Sequence, residues 1–187
     1  QTRVMFHQLD TAAENDRVIA AHGHSVSLPI LETDFPSVWL SPRSSHAVLK
    51  VKHGDNNEIS LFTAPRTELL SGDISWSQVC GESDQVTDFA VIGDKIYLVT
   101  GKQAPRFKLV ELSLNDPDMA SSRDVVPAGE LVIESVSVAA DALYISAKRD
   151  GIGMIMRWAP DVALEELPPP RGGATYLSSI APDIPGA

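Results

Sequence analysis

Few residues in this chain could do chemistry, and their spacing argues against most of it. A hydrolase nucleophile sits on a strand-to-helix elbow, Gly-x-Ser-x-Gly, that exposes the serine hydroxyl at a sharp turn. Gly23-His-Ser-Val-Ser and Gly81-Glu-Ser-Asp-Gln each hold half of this pattern, lack its last glycine and precede no amphipathic helix. Ser25 and Ser83 therefore read as loop serines. His22 with His24, or His46 with His53, raise the question of a metal, and positions 22 and 24 would share one strand face. A closed metal site needs about four ligands, and no third candidate stands near either pair. They read as surface histidines, and no metal is expected. Glu165 and Glu166 are neighbours in a strand-like run, where adjacent side chains point to opposite faces, so they cannot share a proton as a catalytic carboxylate pair does. Gly151-Ile-Gly lacks the third glycine and following helix of a dinucleotide loop. Cys80 is the single cysteine, beside the strand-like run 75–79, with no neighbouring base to activate it. It reads as a small structural residue. No catalytic residue and no cofactor is expected in the chain.

The composition narrows the classes further. Fifteen basic residues against 25 acidic ones give a formal charge of −10, which repels a phosphate backbone and argues against nucleic acid as a partner. The apolar fraction of 43% and a mean hydropathy of −0.02 are those of a globular protein. No uncharged apolar run approaches the about 18 residues of a membrane-spanning helix, so no membrane partner is expected. The chain opens on Gln1 without the basic-then-apolar order of a signal peptide. It reads as a segment of a longer protein, its compartment open between cytoplasm and periplasm.

The elements that must position any functional residue repeat along the chain. Ser37-Val-Trp-Leu is followed by Ala47-Val-Leu-Lys-Val, then Glu58-Ile-Ser-Leu-Phe-Thr, then Trp76-Ser-Gln-Val. Thr87-Asp-Phe-Ala-Val leads likewise into Lys95–Thr100, Phe107–Leu112 and Arg123–Val126, and Ser135–Val138 into Ala142–Ser146, Met154–Trp158 and Leu164–Leu167. Leu49, Leu98 and Ile145 mark one position in the three units, a period of about 47 to 49 residues. Each unit has four short runs rich in β-branched and leucine residues, separated by turns such as Gly93-Asp94 and Asp150-Gly151. Four strands recurring at this period are the signature of β-propeller blades. A single sandwich has no reason to repeat its turns three times.

The expected fold is all-β: a partial propeller of about three complete four-stranded antiparallel blades, roughly 35–80, 84–127 and 131–168. Partial blades are expected at 1–22 and 174–187, with Pro168-Pro-Pro-Arg-Gly-Gly as an inter-blade connection and Thr175–Ile180 as a flanking strand. The one helix-like stretch is Thr11–Val18, short and polar. Trp39, Trp76 and Trp158 fall near strand ends at comparable points of the repeat and are expected to pack between blades.

Several local sequences resemble the prolyl oligopeptidase family of serine peptidases. Val4-Met-Phe-His-Gln-Leu-Asp-Thr, followed by Asn15-Asp-Arg-Val-Ile, is similar to that family's strand ending in His before Leu-Gly-Thr and a later Asp-x-Val. Thr100-Gly-Lys-Gln-Ala-Pro-Arg-Phe-Lys-Leu-Val looks like its Thr-Asn-x-x-Ala-Pro-x-Tyr-x-Leu segment, followed as there by Asn115-Asp-Pro and Val125-Val-Pro. Asp73-Ile-Ser-Trp-Ser-Gln-Val is similar to the closing strand of one of its blades. Asp10 and Gly101 depart from the family's Gly and Asn, and no Trp precedes Val125, which marks a divergent member.

The resemblance implies a seven-bladed propeller capping an α/β-hydrolase domain of the same parent chain, with the Ser, Asp and His of that domain outside this segment. It implies a non-catalytic propeller that covers the active site and restricts access to short peptides, in a parent that cleaves after proline. It also places Lys102 where family members commonly carry a basic residue able to reach the interior cavity, a substrate-contact position. The alternative reading is a stand-alone propeller that binds a protein or glycan through its loops. Either way, three blades with partial flanks leave apolar faces uncovered, and the fragment is expected to self-associate.

Overall fold

Short apolar runs broken by tight turns can satisfy their backbone groups only by pairing with the run before and after. The computed structural model of the chain is built in this way, and describes residues 2–160, 162–168 and 182–186. β1 (Arg3–Phe6) and β2 (Arg17–Ala21) form a two-stranded sheet. β3 (Asp34–Leu40), β4 (His46–His53), β5 (Ile59–Pro65) and β6 (Ser77–Cys80) form the first four-stranded sheet. β7 (Val86–Ile92), β8 (Lys95–Thr100), β9 (Lys108–Ser113) and β10 (Arg123–Val126) form the second. β11 (Val132–Val138), β12 (Leu143–Arg149), β13 (Ile152–Trp158) and β14 (Glu165–Leu167) form the third. Every neighbouring pair is antiparallel and in chain order, so each sheet is a simple meander, and the whole is a partial propeller of three complete blades with a flanking pair. Between β12 and β13 the chain reverses through Asp150 (φ 52°) and Gly151 (φ 81°), the paired left-handed residues of a hairpin turn that matches strand twist.

Three cores lie between sheets, and a fourth, with Tyr144 and Ile155, lies on the far face of the third blade. Ala47, Leu49 and Val51 of β4 pack with Ile19, Ala20, Phe62 and Trp76 against the β1–β2 side. Val48, on the other face of the same strand, joins Leu61, Ile96 and Leu98 between the first and second blades. Tyr97 and Val99, on the far face of β8, meet Leu143, Ile145 and Met156 between the second and third. The second strand of each blade is thus buried on both faces, which is why β4, β8 and β12 read as near-continuous apolar runs. Leu49, Leu98 and Ile145, the residues that define the repeat, all face the preceding sheet and are at most 1% exposed.

Two expectations change. Thr11–Val18 contains only a three-residue 3-10 turn, Ala13–Asn15, and runs into β2. The one α-helix among the described residues is α1 (Arg66–Ser71), in the link from β5 to β6. It starts after Pro65, buries Leu69, and stops at Gly72 in the left-handed region (φ 97°), while the Arg17 guanidinium donates to the carbonyls of Leu69 and Leu70 at 2.8 and 2.9 Å. The expected connection at 168–173 and the strand at 175–180 fall largely outside the described residues. No described helix is long and apolar enough to cross a membrane.

Candidate functional site

The first strand of each blade pairs on one side only, and β3, β7 and β11 meet at a groove of about 370 Å³. Its walls are Trp39 and Leu40 from β3, Asp88 to Val91 from β7, and Val136 to Val138 from β11. Trp39 is 54% exposed. Its ring stands edge-to-face on Phe89, centroids 5.8 Å apart at 81°, and the Lys50 ammonium lies 5.6 Å above its centre. This corrects the expectation that all three tryptophans pack between blades: Trp76 and Trp158 do, at 7% and 8% exposure, and Trp39 faces the groove. Asp88 reaches across from the second blade to the third, where its Oδ2 accepts the Val136 N–H at 2.9 Å. Burial pushes its carboxyl above the usual range, opposed by the backbone donors of Val136 and Phe89 and by the charge of Lys50.

At one end of the groove a second carboxylate joins blades one and two. Asp94, in the β7–β8 turn, accepts the Ser45 N–H at 2.8 Å and the hydroxyls of Ser45 and Ser44 at 2.9 and 3.0 Å, with His46 Nδ1 at 3.4 Å. The Ser45 backbone donor, then its hydroxyl, hold the Asp94 carboxyl well down, at about 2. Pro182 borders the same end, where Arg43 donates to the carbonyls of Ala140 and Pro182 at 3.4 and 3.0 Å.

The register also assembles a Ser-His-Asp chain that spacing alone did not reveal. Asp34 opens β3 opposite His53 at the end of β4, with Oδ2 3.2 Å from His53 Nδ1, and His53 Nε2 lies 2.8 Å from the Ser60 hydroxyl on β5. Donor order alone would suit acyl transfer. However, Ser60 is only 6% exposed on the middle of the sheet, and a hydroxyl so buried has no open approach for a scissile carbonyl. The chain is an internal brace across three strands, tied toward the next blade by Glu82, 4.0 Å from His53 and bonded to Asn56.

The other candidates stay apart. His22 and His24 lie beyond the end of β2, in a turn rather than on one strand face, and His22 Nδ1 contacts the Ile30 carbonyl at 2.7 Å. His46 and His53 are each 11% exposed at the side chain and bonded within the blades, which corrects their reading as surface residues. No metal-binding cluster forms among the described residues. Glu165 and Glu166 turn to different arginines, Arg157 and Arg149. Ser25 contacts Ser27, and Ser83 sits in a 3-10 turn. Cys80 lies inside β6, where burial pushes its thiol up to about 12. Lys102, in the β8–β9 loop, donates to Asp84 at 2.8 Å and borders a separate cleft with Thr100, Lys108 and Met119.

The meander blades and the inter-sheet cores are those of a β-propeller, and the model of the prolyl oligopeptidase N-terminal β-propeller domain matches residues 1–163. The chain belongs to that family. Among solved structures, a prolyl endopeptidase analysed for the role of inter-domain dynamics in catalysis and specificity is 20% identical, with a TM-score of 0.68, over 89% of this chain and 24% of that one. Prolyl oligopeptidase B from Galerina marginata, in its apo form, is 19% identical with a TM-score of 0.67, over 89% and 23%. A mutant of that enzyme bound to a 35mer hydrolysis and macrocyclization substrate is 19% identical with a TM-score of 0.69, over the same shares. No curated protein is similar enough in sequence to match. The propeller chain spans about a quarter of the length of these structures.

Proposed function

We propose that this chain is the access-controlling part of a prolyl oligopeptidase-like serine peptidase, whose nucleophile, base and acid belong to an α/β-hydrolase domain of the same parent chain. The parent cleaves short peptides after proline, and the propeller keeps folded proteins from the active site. The observation that carries this reading is the family match over residues 1–163, joined to sheets that share a core with each adjacent sheet. Sheets that share a packed core resist the separation that a folded protein would need to pass between them. Lys102 stands in the proposal as a cation that meets a peptide carbonyl or carboxylate when Asp84 yields it.

Two measurements test this. The chain alone should neither turn over a chromogenic Gly-Pro peptide nor take up a serine-reactive fluorophosphonate, at Ser60 or elsewhere. Stoichiometric labelling would place a nucleophile in the chain and overturn the reading. In the full-length parent, short peptides should be cleaved while folded proteins are spared, and its hydrolase domain freed of the propeller should lose that discrimination. Equal discrimination with and without the propeller would show that access is controlled elsewhere.

A further inference from the structure

The lysines of the chain divide into two kinds. Among the described residues, Lys95, Lys102, Lys108 and Lys148 each meet a carboxylate, whereas Lys50 and Lys52 form no such pair. Both stand on β4, two residues apart, so their side chains leave the same face of the first blade. On β3 that face carries Phe35 opposite Lys52, Ser37 opposite Lys50 and Trp39 opposite Val48. Toward β5 the face is closed: Ile59 and Leu61, opposite Lys52 and Lys50, join the core shared with the second blade. Toward β3 it is open, with Lys52 exposed and Phe35 and Trp39 52% and 54% exposed. Lys50 lies over the Trp39 ring and its charge acts on Asp88, so it is already engaged. Lys52 has no such partner. The third blade shows what is missing. With Leu49 aligned on Ile145, Lys52 falls on Lys148, and Lys148 pairs with Glu134. Glu134 is the extra residue of the bulge in β11 between Ile133 and Ser135. β3 runs beside β4 without a bulge, so it has no position for that acid and leaves Lys52 facing Phe35.

We propose that the Phe35–Lys52 pair is a subsite for the C-terminal residue of a peptide, with its carboxylate on the Lys52 ammonium and an apolar side chain against the Phe35 ring. The two residues are directly opposite on one face, about 4.5–5.5 Å apart at Cβ, so they can meet two groups that branch from one ligand carbon. Trp39 lies four residues farther along β3, about 13 Å away, a span that four extended residues of the peptide cover. The part of its ring left open by Phe89 and Lys50 takes an apolar side chain at that end. The net charge of −10 disfavours polyanions, so a single carboxylate beside apolar groups suits this face better than a phosphate chain. The proposal rests on the peptide-handling role above and names which end of a peptide the first blade would hold, but its binding step belongs to this chain alone.

The test is calorimetric titration of the chain with acetyl-Leu-Ala-Ala-Phe, as the free acid and as the C-terminal amide, with tryptophan fluorescence alongside. Saturable binding of the acid with a dissociation constant on the order of millimolar is expected for so small a ligand. Amidation should weaken it about three- to fivefold, the worth of an exposed ion pair, and about 0.5 M salt should narrow that gap. Lys52→Met, which keeps an apolar stem and removes the charge, should bring the acid down to the amide and leave the amide unchanged. Lys52→Arg should keep the difference, and Phe35→Ala should weaken both peptides. No saturable binding, or equal binding of acid and amide by the wild-type chain, overturns the proposal, and this comparison decides even if a variant fails to fold. An acid–amide difference that survives in Lys52→Met would put the carboxylate elsewhere and overturn it too. A full-length parent that cleaves folded proteins would overturn access control and leave the subsite standing. Intact size discrimination with equal binding of acid and amide would do the reverse.

Discussion

At Asp94 one carboxylate gathers the Ser44–His46 turn of the neighbouring blade, and the consequence is a dependence on pH. Its folded value of about 2 lies below the ordinary 3.8, so its contribution is present above pH 4 and lost as pH falls from there toward 2. Thermal melts between pH 5 and about pH 2 should show this loss, and Asp94→Asn should flatten that part of the profile. At neutral pH, Asp94→Ala is expected to cost about 1 kcal/mol, the worth of charged hydrogen bonds discounted for solvent screening. Cys80 gives the opposite case: with its thiol pushed up to about 12 and its side chain buried, it should resist thiol reagents until the protein unfolds. Rapid labelling under native conditions would mean that β6 opens locally. At this scale the sequence was least legible. Asp88 stands opposite Val99, where the other blades place Ser37 and Ser135, and Trp39 stands where they place Ala90 and Ser137. The groove is written in departures from the repeat, which become visible only once register aligns the blades residue by residue.

The strands were legible because their apolar runs and turns are local. Lys95–Thr100 and Arg123–Val126 form strands with the bounds read from sequence, and the runs around Leu49 and Ile145 extend by a few residues. The repeat positions carry inter-blade packing, so Leu98→Ala should destabilise the chain by about 2–5 kcal/mol, with the residual cavity setting the place in that range. Trp39→Ala, by contrast, should change the melting temperature little, since its ring is more than half exposed. A denaturation series of the two variants beside wild type checks the contrast, and similar losses would contradict the division between core and groove. Helix α1 was missed although Pro65 and Gly72 bracket it, because six residues are too few for a periodic signal and its stop depends on Arg17 from a distant strand.

At the scale of the molecule, nearest-neighbour packing leaves the array open. β1 pairs only with β2 among the described residues, and Met5, Leu9, Val26 and Leu31 are exposed on or near this flank. We propose that the chain self-associates through such faces; light scattering over a concentration series should show a mass that rises above the monomer, and a soluble monomer at high concentration would refute it. Arg43 has a consequence of another kind. Its guanidinium, on the first blade, bonds Ala140 beside the third blade and Pro182 beyond it, so it links residues separated by 97 and 139 positions. Such a bond can close only after the intervening blades have docked, which places it late in the order of assembly and early in the order of rupture. Arg43→Ala should therefore accelerate unfolding and leave the refolding rate nearly unchanged, giving a φ-value near zero in stopped-flow chevrons. Slower refolding would instead mean that the blades assemble around this arginine, and that the ring begins to close before its walls are complete.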